Sequence, residues 1–202
     1  MEDERRKQTE QKLIRSGRAE FLKKGYVKAS LRDICKAAGV TTGAFYFSFE
    51  SKEALMTAIL DPVIADYEHM CAELAQREEE DPGTADDNER QIMEYLSEHR
   101  AEAIILMERS EGSRYEGFRQ KVYSQMQAAF TSYFSNFMGS EPDSEMIRIL
   151  VAMRLRGYME LIEGDYTVEE RLKLAREIGI HADAGSMALI QYLKEQREVY
   201  RR

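Results

Sequence analysis

Ser30-Leu31-Arg32-Asp33-Ile34-Cys35-Lys36-Ala37-Ala38-Gly39-Val40-Thr41-Thr42-Gly43-Ala44-Phe45-Tyr46-Phe47-Ser48-Phe49-Glu50-Ser51-Lys52-Glu53-Ala54-Leu55 spells out a helix, a tight turn, a short second helix and the start of a third. Ser30 is a good N-cap, and Asp33 three residues on comes close to a capping-box pattern. Leu31, Ile34, Cys35 and Ala38 recur at helical spacing and supply a buried face. Gly39 stands where the chain must turn sharply, because a residue without Cβ adopts positive φ at no steric cost. Val40 plugs the turn. Thr41 or Thr42 caps the second helix, and Phe45 and Phe49, four apart, face inward. This order of elements is that of a helix-turn-helix, which places one helix in the DNA major groove.

Working outward, the rest of the chain reads as successive amphipathic helices with short breaks and almost no strand signal. A helix from about Asp3 to Lys24 precedes the motif and stops at Gly25. Ser51 caps a long helix from Lys52 to about Glu79, closed by an acidic run and a turn at Pro82-Gly83. Further helices are expected from Asp86 or Asp87 to His99, Glu102 to Arg109, Tyr115 to Met138 and Met146 to Glu163. Thr167-Val168-Glu169-Glu170 is a capping box for a last helix reaching about Glu198. The expected fold is therefore all-α, with about nine helices. A three-helix head (residues 1–55) joins a helical body (residues 56–202) inside the long helix, without a flexible linker.

Charge is spread unevenly. Residues 1–55 hold 12 Lys+Arg against 8 Asp+Glu, leaving 17 against 29 for the remainder. A basic head on an acidic protein attracts phosphates at one end without adhering elsewhere. Cys35 and Cys71 are too few and too far apart for a disulfide framework or a zinc site. Cys35 reads as a packed small hydrophobe and Cys71 as a helix residue, with redox sensing as the other reading. His69, His99 and His181 are scattered, no Gly-rich phosphate loop or nucleophile elbow occurs, and so no catalytic residue, metal or cofactor is expected. The first residues lack an apolar signal core, and no run reaches the ~18 apolar residues of a membrane span. A cytoplasmic protein with no membrane partner is expected.

Gly39-Val40-Thr41-Thr42-Gly43-Ala44-Phe45-Tyr46, then Phe49 and Ser51-Lys52-Glu53-Ala54-Leu55, resembles the signature of the TetR/AcrR-type transcriptional regulators. Upstream, Leu13-Ile14, Ser16, Gly17, Phe21 and Gly25-Tyr26 also fall where that family's first helix would place them. The resemblance covers roughly residues 8–60. It departs at Cys35, where the family more often has Ala, and at Phe47-Ser48, where it favours polar or basic residues.

By this resemblance Ser30, Tyr46 and Lys52 hold phosphates of double-stranded DNA. Arg32, Thr42, Gly43 and Ala44 face bases, Phe47 lies against sugar and methyl groups, and Thr41 and Ser48 complete the DNA-facing set. Each has a plainer reading beside it: Tyr46 as a core tyrosine, Lys52 as a solvated lysine, Arg32 as an ion-pair partner of Asp33 or Glu53. The resemblance also implies a homodimer formed by the last two helices. Ala152 and Gly157 in one, with Ala182, Gly185 and Ala188 in the other, allow close helix approach. Met93, Met107, Tyr115, Phe118, Met126, Phe130, Met153 and Tyr158 are candidates for a small-molecule effector pocket, since Met adapts to irregular shapes and Tyr adds a polar handle. The same residues also read as ordinary core. The expected function is a ligand-responsive transcriptional repressor that binds a palindromic operator as a homodimer and is released by an effector. The alternative is a helical DNA-binding adaptor or DNA-organising protein without ligand response.

Overall fold

The structure, a computed structural model, describes residues 2–80 and 85–200. Among these residues every regular element is a helix: α1 (Glu2–Lys28), α2 (Leu31–Ala38), α3 (Thr42–Ser48), α4 (Lys52–Glu80), α5 (Ala85–Glu98), α6 (Arg100–Glu108), α7 (Phe118–Met138), α8 (Ser144–Glu163) and α9 (Val168–Tyr200). The turn expected at Pro82-Gly83 lies outside the described residues. None of the described helices is long and apolar enough to cross a membrane.

Local chemistry sets most boundaries. Ser51 Oγ accepts from the Ala54 N–H at 3.0 Å and starts α4. Asp143 caps α8 through the Met146 N–H at 2.8 Å. At the start of α9 the capping box closes in both directions: Thr167 N–H donates to Glu170 Oε2 (2.8 Å), and Glu170 N–H donates to Thr167 Oγ1 (3.2 Å). These bonds hold the Glu170 carboxyl below the usual carboxylate range. The long helix expected from Lys52 runs unbroken through Pro62, whose missing N–H removes one backbone bond. The seventh helix starts at Phe118 instead of Tyr115, because residues 110–117 form a knot of turns. There Ser110 Oγ donates to Tyr115 O and Ser113 Oγ donates to Ser110 O, which stops helical bonding from propagating.

The chain divides into two compact units: Met1–Ala85 with Glu98–Arg119, and Asp86–Ser97 with Gln120–Arg202. The first unit is built on one apolar core in which Leu13, Phe21, Ile34, Phe45, Leu55, Met56, Leu60 and Ile105 lose all contact with solvent. Cys35 belongs to this core, as a packed small side chain. The core joins the motif helices to α6, which also carries the buried carboxylate of Glu102, paired with Arg18 at 2.9 Å. In the second unit Phe134, Ile147, Val151, Leu161, Ile162 and Ile190 are buried.

Candidate nucleic-acid interface

The turn between α2 and α3 sets the geometry of the site. Gly39 takes a left-handed backbone (φ 67°, ψ 32°), and the Val40 N–H then donates to Cys35 O at 3.0 Å. This closes α2 and redirects the chain, a conformation that costs little only for glycine. Thr41 caps α3, its Oγ1 accepting from the Ala44 N–H at 3.1 Å. Of the two threonines that could cap this helix, the first does so, which leaves Thr42 on the exposed surface.

Phe45 anchors α3. It is fully buried, with ring contacts to Tyr46 (5.4 Å, edge-on) and Phe49 (5.9 Å). At about 100° per residue, Gly43 and Phe47 occupy the side of α3 opposite that anchor. Phe47 is 83% exposed and Tyr46 56%. Thr41, Thr42 and Gly43 are exposed as well, whereas Ala44 and Ser48 are half-buried. The contacts that locate α3 therefore leave its outer face open.

The phosphate candidates sit in a denser polar setting than their residue types suggested. Ser30 Oγ accepts from the Asp33 N–H (3.4 Å), while the Ser30 N–H donates to Glu20 Oε1 (3.3 Å). The reciprocal half of the capping box thus comes from Glu20. The Asp33 carboxylate is bonded to Lys24 at 2.9 Å, which keeps its carboxyl below the usual range. Lys24 is shared with Glu20 at 2.8 Å. Arg32 is exposed, and the carboxylates proposed as its ion-pair partners bind elsewhere: Asp33 to Lys24, Glu53 to the Arg114 N–H (2.8 Å).

Lys52 is neither fully solvated nor idle. Its ammonium donates to Tyr26 O (2.7 Å) and Ala29 O (3.2 Å) and lies 4.4 Å from the centre of the Tyr26 ring. A cation beside the first turn of α4 opposes that helix dipole, but carbonyls at the end of α1 welcome it. Around this contact a hub forms that the sequence did not reveal. Gly25 (φ 73°, ψ 164°) kinks α1, and the next N–H, of Tyr26, donates to Arg109 O at 2.9 Å. The Tyr26 phenol is pushed up to about 12, first by burial and then by its bond to Glu53. Tyr115 is buried in the same core and donates its hydroxyl to Asp61; burial first, then that bond, pushes its phenol up to about 12. No local periodicity marks these partners, which lie 26 to 61 residues apart in the Lys52–Tyr26, Glu53–Arg114 and Tyr115–Asp61 contacts.

The effector candidates divide between the units. Tyr115 is in the core of the first, and Phe118 packs against it; Met107 is half-buried there too. In the second unit Met93 is buried and lines a cleft of about 730 Å³ with Leu172, Ala175 and Ile180, edged by Glu89, Arg90 and Arg176. Tyr158 shares Glu89 with Arg154 (Arg154–Glu89 3.0 Å), and burial pushes its phenol up. Met126 and Phe130 are half-buried on α7, and Met153 points to solvent, 67% exposed. Met153 forms a stripe with Ile149 and with Gly157, where an added Cβ would meet open space. On α9 Gly185 and Ala188 are exposed and Ala182 half-buried, as is Ala152 on α8.

Comparison with known proteins bears on residues 13–59, which match the model for bacterial regulatory proteins of the tetR family. HTH-type transcriptional regulator TtgR of Pseudomonas putida is 33% identical over 79 residues, 39% of this chain and 38% of that protein. HTH-type transcriptional repressor DhaR of a Mycobacterium species is 41% identical over 56 residues, 28% of each chain. The chain thus spans well under half the length of these curated relatives. Among solved structures, a transcriptional regulator from Aquifex aeolicus superimposes with a TM-score of 0.54 at 20% identity, covering 84% of this chain and 96% of that one. NalD, the secondary repressor of the MexAB-OprM multidrug efflux pump in Pseudomonas aeruginosa, gives 0.53 at 19%, covering 88% and 97%. These two similarities concern the fold.

Proposed function

We propose that this chain, whose residues 13–59 match the tetR-family model, is a regulator of the TetR/AcrR type: a transcriptional repressor that binds a palindromic operator as a homodimer and is released by a small-molecule effector. The observation that carries this reading is the outer face of α3, left open by a turn, a cap and a buried anchor that leave the helix little freedom. Thr42, Gly43, Ala44 and Phe47 face bases, with Arg32 beside them. Ser30, Thr41, Tyr46, Ser48 and Lys52 line the sugar-phosphate rails. The Ser30 hydroxyl hydrogen and the third ammonium hydrogen of Lys52 remain to meet phosphate.

One head of this size offers too little surface for tight binding, so two act together on symmetric half-sites. The exposed stripes of α8 and α9 supply the second copy's seat. An effector in the body then shifts the equilibrium between head separations, and only one separation fits the operator. The effector candidate nearest to an existing cleft is Met93.

Selection of bound duplexes from a random pool tests this reading. The expected result is an enriched palindrome, and gel shifts of that duplex released by apolar compounds. A pool that remains random, or an enriched site without symmetry, would overturn the palindromic reading. A palindrome whose binding no compound alters would favour a DNA-organising role.

A further inference from the structure

We infer that Phe47 reads thymine through its 5-methyl group, so that α3 requires an A·T pair within each half-site. This inference rests on the proposed DNA-binding role and adds the base identity to it. The inventory of α3 carries it. From Thr42 to Ser48 the helix has no Arg or Lys to bond guanine O6 and N7, no Asn or Gln to bond adenine N6 and N7, and no carboxylate for cytosine N4. Its exposed groups are the Thr42 hydroxyl at the first turn, the Tyr46 phenol on the flank, assigned above to phosphate, and the Phe47 ring, the one aromatic directly opposite the buried anchor. The major groove presents a single apolar feature that can complement a ring, the thymine methyl.

The placement of the ring supports the same partner. Phe47 lies opposite the buried Phe45, and at 83% it is the most exposed large apolar side chain among the described residues. One turn earlier Gly43 has no side chain, and a Cβ there would meet only Thr41 Oγ1 at 3.7 Å. The helix can therefore approach the base edges closely beside the ring. Arg32, exposed on α2, has the chemistry for a guanine elsewhere in the half-site.

The test uses the full chain and the duplex recovered from the random pool. Replacing each thymine of the half-site in turn by deoxyuridine removes only a methyl group, and one position is expected to respond. Wild type should lose about fourfold in affinity per half-site, the factor expected for one methyl-sized group returned to water. Phe47→Ala should bind the thymine and deoxyuridine duplexes equally, and Phe47→Leu should retain part of the preference. Circular dichroism checks that both variants fold, as so exposed a position allows. Three results would overturn the inference: no invariant thymine in the half-site, wild type indifferent to deoxyuridine at every position, or Phe47→Ala losing the same factor as wild type. A uniform loss by Phe47→Ala on every duplex would instead place the ring on deoxyribose. Failure of folded wild type to enrich any duplex is a different outcome and would remove the DNA-binding reading itself.

Discussion

The head and the body both expose apolar side chains, but in opposite ways. On α3 the exposed rings are two, Phe47 and the phenol of Tyr46, on a seven-residue helix with exposed polar or small neighbours at Thr42 and Gly43. On α8 and α9 the exposure is broad: Ile149 and Met153 on one helix, Ile178 and Tyr192 on the other, interleaved with Gly157, Gly185 and Ala188. A narrow projection of this kind suits a groove, while wide apolar faces with small residues suit another helix pair. Under the proposed function, the width of the exposed apolar patch would separate the nucleic-acid face from the seat of a second copy. The supporting contacts differ accordingly. Behind α3 lie a full core and the hub of Tyr26, Lys52, Glu53 and Arg109, whereas many ion pairs of the body are exposed pairs one turn apart.

The largest effect is expected where the narrow face is anchored. Phe45→Ala removes a fully buried ring and should cost about 3–5 kcal/mol of stability, with DNA binding lost alongside it. Chemical denaturation followed by circular dichroism measures this, and an unchanged midpoint would show that α3 is held by something else.

On the broad face, Met153→Glu places a charge where a partner helix would cover it, at a cost of about 2 kcal/mol or more. Sedimentation velocity should then show dissociation to monomers with the helical signal intact. A variant that remains dimeric would assign the stripe to solvent.

Tyr46→Ala and Lys52→Ala should each weaken binding about tenfold or more at every sequence, the lower end of the range of about 1.5–3 kcal/mol for one hydrogen bond to a charged partner. Lys52→Ala should also reduce the salt slope by about 1. Fluorescence anisotropy at several salt concentrations reads both, and a slope unchanged in Lys52→Ala would confine that ammonium to Tyr26 O and Ala29 O.

The smallest effect concerns the start of α9. The folded-state pKa of Glu170 is depressed, so its stabilisation is present above the ordinary glutamate range and is lost as pH falls through the lower folded value. Glu170→Gln should flatten the acid limb of the melting-temperature profile, and an identical limb in both proteins would discard the link.

The sequence made legible those features whose partners lie within one turn. Ser30, Thr41, Ser51 and Thr167 each act as a cap, and Gly39 takes the left-handed backbone, because the choice is settled by neighbours three or four residues away. The outward placement of Gly43 and Phe47 follows from helical spacing once Phe45 is recognised as the anchor, while Thr42 is exposed because it opens the helix. What the pattern hid was long-range. Tyr115 looks like one more aromatic on a helix, yet it is a buried turn residue bonded to Asp61. Lys52 looks like a surface cation, yet it closes the end of α1. Such contacts depend on which distant segment folds back, and no local period encodes that.

Amide hydrogen exchange of the full chain, with and without the selected operator duplex, tests the DNA-reading face most directly. Slowed exchange should be concentrated in residues 41–48, with a second zone around Ser30 and Arg32. Operator binding that leaves residues 41–48 exchanging at the free rate, with protection only in the body, would contradict the assignment of α3 to the major groove.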